Sequence, residues 1–161
     1  MYYKKQTGKP RVTYDEAVEE ALCFGWIDSV PRRVDENVSK LLFTPRKPKS
    51  VWSKLNKTRI EKLTENGSMN EIGLAKIEAA KKDGSWNALD ASDNLEIPTD
   101  LARAFKANKI AERNFTAFSD SIKRNILFWV GNAKRDETRA ARIEKTVQMA
   151  ERNKRVNYDK D

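Results

Sequence analysis

Histidine is absent from this 161-residue chain, and there is a single cysteine. Without imidazole there is no side-chain base poised near neutral pH, no His-assisted serine or cysteine nucleophile, and most zinc donor sets are lost. One cysteine cannot close an intramolecular disulfide, so nothing points to an oxidising compartment. No stretch approaches the ~20 apolar residues that span a bilayer. The start, Met1-Tyr2-Tyr3-Lys4-Lys5-Gln6, lacks the apolar core of a secretory signal. Gly8-Lys9 has neither the preceding glycine nor the following Ser or Thr of a Walker A loop. The expectation is a cytoplasmic protein without membrane insertion, cofactor, metal or catalytic residues. An enzyme would have to work through Asp28, a lysine or Cys23 with no imidazole.

Acid is also missing, locally. Between Glu36 and Glu61 there is none, while Lys40, Arg46, Lys47, Lys49, Lys54, Lys57 and Arg59 fall in that interval. Residues 1 to 60 carry 13 Lys/Arg against 7 Asp/Glu, and residues 123 to 155 carry ten against four, so the net charge of +8 sits in two places. Such a field attracts anions and speeds their arrival, but says nothing about fold. Four Trp, six Phe and four Tyr, with 39% hydrophobic and 35% charged residues, describe a small core under a charged exterior. A chain of this size can bury about 70% of its unfolded surface and needs no staple.

Along the chain, Tyr2-Tyr3 reads as a strand and Gln6 to Pro10 as a turn. Thr13 and Glu16 have capping-box spacing and open a helix with Ala17, Val18, Ala21, Leu22 and Gly25 on its apolar face. Asp15, Glu16, Glu19 and Glu20 lie opposite, as a solvated face rather than an acid/base pair. A β-hairpin follows, Ser29 to Val34 and Ser39 to Thr44, with Pro31 keeping the first strand at an edge. Ser50 can cap a helix that buries Trp52, Leu55, Ile60 and Leu63 and stops at Gly67. Asn70, or Ser68, opens another that buries Leu74, Ile77 and Ala80 and ends at Gly84. The spacing then predicts helices around Leu101 and Phe105, around Phe115 and Phe118, after Ser119, and from Asp136 with Ala140, Ile143, Val147 and Ala150 inward.

The fold class expected is α+β, mostly α: a small antiparallel sheet, made of the hairpin and the N-terminal strand, packed on helices and followed by a C-terminal helical bundle. The parts are residues 1–84, a linker loop at 85–98, a helical part at 99–155 and a frayed tail at 156–161.

The candidate site is a surface where the sheet meets the next helix, formed by Trp26, Asp28, Arg46, Lys47, Lys49, Trp52 and Asn56. Two prolines keep Thr44-Pro45-Arg46-Lys47-Pro48-Lys49-Ser50 out of helix and sheet, leaving three cations beside a helix N-terminus that can supply N–H donors. Either indole could stack on a ligand, or serve as a core anchor at a helix end. Asp28 could orient Arg32, Arg33 or Arg46 toward a ligand, or pair locally. Cys23, on the apolar helix face, reads as a buried thiol. A helix-turn-helix in the last two helices would need Arg139, Arg142 and Lys145 turned toward phosphates, although the same apolar spacing suits any bundle helix.

Four segments together resemble the YdeI/OmpD-associated, or bacteriocin-protection, proteins. They are Lys4 to Pro10, Glu20 to Asp28, Phe43 to Ser53, and Ala133 to Arg139 with Arg142 and Ile143. They span nearly the whole chain, and the resemblance implies a bacterial protein acting in tolerance of bacteriocins or cationic antimicrobial peptides. Members of that family usually have a further helix and most of a strand before the position of Tyr2, a feature from which this chain departs, and the resemblance brings no catalytic residues. The reading is a non-enzymatic binding protein that takes an anionic small molecule or an acidic partner surface. The alternative is a nucleic-acid binder that uses the two basic surpluses without sequence preference. Nothing in the sequence specifies an oligomeric state.

Overall fold

The reciprocal cap expected at Thr13 and Glu16 is formed. The Glu16 amide donates to Thr13 Oγ1 at 3.2 Å and the Thr13 amide to the Glu16 carboxylate at 2.7 Å. It opens α1 (Tyr14–Cys23) in a computed structural model that describes residues 1–159. The chain divides into two units, Met1–Ala88 and Leu89–Asp161, each with its own core. Helices dominate, eight of them among the described residues, beside a small antiparallel sheet in the first unit.

Gly25 lies past the end of α1 rather than on it. Its φ of +68°, a value glycine reaches at no steric cost, turns the chain directly into strand β2 (Trp26–Asp28). The expected hairpin is present but comes in two pieces. Strand β2 pairs with β5 (Phe43–Pro45), with Ile27 opposite Thr44. Further in, β3 (Arg32–Arg33) pairs with β4 (Val38–Lys40), which also takes β1 (Tyr2–Tyr3) on its other side. Pro31 falls in the gap and has no N–H to give a continuous ladder, so pairing lapses there. One bond, from the Ser29 amide to the Leu42 carbonyl at 2.9 Å, spans the break. The tight end is made by Asp35, whose carboxylate accepts the Asn37 and Val38 amides, each at 2.7 Å.

Helix α2 (Lys54–Glu65) is capped by Ser53, which accepts the Asn56 amide at 3.3 Å, and not by Ser50. That register leaves Trp52 ahead of the helix and turns Leu55 to solvent. Helix α3 (Glu71–Asp83) is capped by Asn70 and ended by Gly84 at φ +80°, as the sequence suggests, but Leu74 faces outward and Gly73 takes an inner position. The core of this unit joins α1, α2 and α3 through Val18, Leu22, Trp52, Ile60, Leu63 and Ile77. Cys23 is buried in it, and burial pushes its thiol pKa up. A thiol reagent should therefore leave the native protein unlabelled and react fully once denaturant is added; rapid native labelling would contradict this packing.

In the second unit, α5 (Thr99–Ala107), α6 (Lys109–Ala117), α7 (Asp120–Gly131) and α8 (Asp136–Glu151) follow α4 (Asp90–Asp93), and α8 packs against α5, α6 and α7. Leu101, Phe105, Phe115 and Ile126 fill the centre, with the Phe105 and Phe115 rings 4.7 Å apart. The buried positions of α8 are Thr146, Met149 and Ala150; Ala140 is exposed and Ile143 and Val147 are half-buried, so the expected stripe is rotated. Two further expectations change. The interval 85–98 is not a plain loop, since Ser85 is buried, Trp86 packs on the first core and α4 lies within it. The tail is anchored: Val156 is 1% exposed, and Arg155 grips Asp159 through a two-bond pair. Residues 160 and 161 of that tail lie outside the described residues. Among the described residues no helix is long and apolar enough to cross a membrane.

Candidate functional site

The segment after β5 is folded into a cradle by three backbone anchors. The Arg46 amide donates to the Gly25 carbonyl at 3.0 Å, which ties it to the end of α1. The Ser50 amide then closes a turn on the Lys47 carbonyl at 3.2 Å. Pro48 occupies the second position of that turn and Lys49 the third, with φ +62°; this is the pattern of a type II turn, in which glycine or asparagine is usual at the third place. The Lys49 amide is held by Asp83 Oδ2 at 3.2 Å, while Asp83 Oδ1 accepts the Ser85 amide at 2.9 Å. One carboxylate at the end of α3 thus braces a lysine held in a left-handed conformation.

Arg46 is the centre of the arrangement. It is 3% exposed, and its guanidinium carbon lies 3.7 Å from the centroid of the Trp52 ring, itself 2% exposed. Trp86 packs on Trp52 with centroids 5.3 Å apart. Nη1 donates to the Val51 carbonyl at 3.0 Å, whereas Nε has no partner. Burial lowers the Arg46 pKa to about 10, against which only the charge of Asp28 acts; the group is still protonated at neutral pH. Taking a cation out of water costs several kcal/mol, and a desolvated cation–π contact returns ~2 kcal/mol or more. What remains is a positive charge with no counter-charge in contact and a donor, Nε, without a partner.

Among the described residues, the Ser85 hydroxyl is also buried without a partner. It stands near enough to Asp83 to help hold that carboxyl below the usual carboxylate range, but outside hydrogen-bonding geometry. Arg46 and Ser85 are both among the residues around one cavity of about 70 Å3, with Lys47, Lys49, Trp52, Lys76 and Asp83. That is several times the ~10–15 Å3 that admits one water. It suits a single oxyanion head group.

Of the seven residues expected to converge, Arg46, Lys47, Lys49 and Trp52 do so. Trp26 does not: it is 41% exposed in β2 and lines a different, apolar surface with Ala17, Phe24, Phe43 and Ile72. Asp28 accepts a hydrogen bond from Tyr14 Oη at 2.7 Å, which, with burial, raises the tyrosine pKa to about 12. Asn56, in the first turn of α2, accepts from Arg59, which also pairs with Asp15. Lys76, Asp83 and Ser85 were not expected. Their only local signal was the C-capping Gly84, which marks where α3 stops but not what it stops against.

A larger open groove in the second unit, of about 620 Å3, lies between α5 and α8 and is apolar. At its edge Arg139 makes a bidentate pair with Asp100 and also reaches the Val130 carbonyl. Arg142 donates to the Trp129 carbonyl and lies over the Trp129 ring. Two of the three cations that a helix-turn-helix would need facing outward, Arg139 and Arg142, are thus engaged with Asp100 and with carbonyls, whereas Lys145 is exposed. No group of three potential metal-ligating His, Cys, Asp or Glu side chains occurs among the described residues.

Residues 1–76 match the family model of a domain of unknown function, DUF8412. Residues 94–153 match the model described as bacteriocin-protection, YdeI or OmpD-associated. The segments Lys4 to Pro10, Glu20 to Asp28 and Phe43 to Ser53 thus fall under the first model, and only Ala133 to Ile143 under the second. No curated protein and no solved structure matches the chain. Asp83 and Ser85 lie between the two matched stretches. The likeness to the bacteriocin-protection, YdeI or OmpD-associated family is thus carried by residues 94–153 alone, and the stretch ahead of it resembles a domain of unknown function.

Proposed function

We propose that this is a non-enzymatic, cytoplasmic binding protein whose first unit holds a small oxyanion between Arg46, Ser85 and the Lys47–Ser50 turn. The observation that supports it most is a buried guanidinium with no counter-charge in contact, bordering the same cavity as a second unpartnered buried group. Buried charges are ordinarily paired, and a flat guanidinium edge recognises two oxygens of an oxyanion at once. The protection named in the description of the family that residues 94–153 match is the process in which such binding would act.

Arg46→Met tests this directly, because methionine keeps an apolar stem over Trp52 and removes the charge. Titrated with inorganic phosphate in a calorimeter, the variant should lose affinity at least tenfold, since a hydrogen bond to a charged group contributes ~1.5–3 kcal/mol. Its melting temperature in anion-poor buffer should be equal to or above that of the wild type, because an unpaired buried charge has been removed. Undiminished binding would remove the site. The nucleic-acid alternative draws on the same cations, yet Arg46 turns inward onto Trp52, and Arg139 and Arg142 are bound to Asp100 and to carbonyls. A labelled duplex shifted at ~50 mM salt, where phosphate contacts are strong, would revive it.

A further inference from the structure

The cavity that gathers four cations also contains a carboxylate, and the anion-site reading alone does not explain why it is there. Resting on that reading, we propose that the pocket selects proton-bearing phosphate over sulfate and that Asp83 is the residue that discriminates.

Donors and one acceptor face the same space. On one side Arg46 lies flat on Trp52 with Nη1 committed to the Val51 carbonyl, so its Nε edge is what it can offer a ligand. The Ser85 hydroxyl, close to Asp83 but without a well-formed hydrogen bond, is a second donor. Asp83 is the acceptor. Each of its oxygens takes one backbone amide, from Lys49 and from Ser85, whereas an ionised carboxylate offers about four lone-pair sites. Acceptor capacity is therefore left over. The neighbouring Ser85 and Lys49 groups hold this carboxyl below the usual carboxylate range, so near neutral pH it can only accept.

A tetrahedral anion placed here meets donors through two or three oxygens and a carboxylate through another. Sulfate has no proton near neutral pH, and its oxygen facing Asp83 would be repelled as one negative charge by another. Phosphate monoesters have a second pKa near 6 and inorganic phosphate one about a unit higher, so each keeps a proton on part of the population. That P–OH can donate to Asp83 while the remaining oxygens take Arg46, Ser85 and the Lys47 and Lys49 amines. The carboxylate therefore penalises one anion and satisfies the other. The chemical class implied is inorganic phosphate or the terminal phosphate of a monoester.

The test compares two anions on one protein. At pH ~6.5, where most inorganic phosphate still carries the proton because its second pKa lies about a unit above the monoester value, the wild type should bind inorganic phosphate about tenfold or more tightly than sulfate by calorimetry. In Asp83→Asn the new amide can donate, so the phosphate-to-sulfate ratio should fall to about one or below, with sulfate affinity rising outright. A role for Asp83 confined to bracing the Lys49 turn predicts instead that both anions weaken together, and that result would overturn the proposal. The wild-type ratio decides the matter even if the variant fails to fold. Equal affinity for the two anions refutes selection by Asp83 and leaves the anion site standing, whereas no binding of either removes the site itself and this inference with it.

Discussion

Gly73→Ala is expected to lower the stability of the first unit by about 3 kcal/mol or more, the upper end of the cost of forcing extra volume into packed structure. A β-carbon built on Gly73 would sit 2.2 Å from the Cys23 carbonyl oxygen and 2.8 Å from its carbon. Both are backbone atoms, and neither can swing away. The same Cys23 carbonyl accepts the Asn70 amide at 3.1 Å, so α1 and the start of α3 are joined by hydrogen bonding and by the missing side chain together. Relief requires the helices to part, which would also shift Lys76 and Asp83 at the cavity. Urea denaturation followed by circular dichroism measures the loss. A midpoint equal to the wild-type value would show that the helices are not in this contact.

Trp52→Ala should cost ~3–5 kcal/mol, as truncation of a fully buried aromatic does. The effect exceeds that of an ordinary core deletion because two neighbours depend on the ring. Trp86 packs on one side of it and the Arg46 guanidinium on another. With the shelf gone, Arg46 is no longer held edge-on to the cavity, and phosphate affinity should fall along with stability. Trp26→Ala provides the contrast. That ring is partly in solvent and borders a different surface, so its removal should leave phosphate binding unchanged. Parallel loss of binding in both variants would mean that the two indoles share a site after all.

Local rules were readable wherever a few neighbouring residues settle the matter. The Thr13–Glu16 box, the Asn70 cap and the Gly84 stop are side-chain and backbone geometries that close within four residues, and all three are formed. Register was less readable. Ser50 and Ser53 are both competent caps, and only the turn at Pro48 and Lys49, braced by Asp83, decides that the chain enters α2 at Ser53. On α8 the spacing of Ala140, Ile143, Val147 and Ala150 was compatible with burial, and Ala150 is buried, but the surfaces of α5, α6 and α7 choose Thr146 and Met149 beside it, leaving Ile143 and Val147 half-buried and Ala140 exposed. Val156 is a similar case: a lone apolar residue in a polar tail carries no periodic signal, and it is buried only because a core lies within its reach.

What the sequence determined by itself was the chemistry available: no imidazole, a run of cations without acids, and two prolines that hold Arg46, Lys47 and Lys49 in irregular backbone. Four of the seven candidate residues, Arg46, Lys47, Lys49 and Trp52, line one cavity. Which indole they would meet was decided by the tertiary structure. Gly25 turns the chain so that Trp26 enters a strand, while the Arg46 amide bond to Gly25 folds the guanidinium back onto Trp52. Asp83 and Ser85, some thirty-five residues downstream of the turn, were invisible to any local pattern. They reach it because α3 packs against α1 through the space that Gly73 leaves empty, and contacts of that kind depend on shape rather than on residue order.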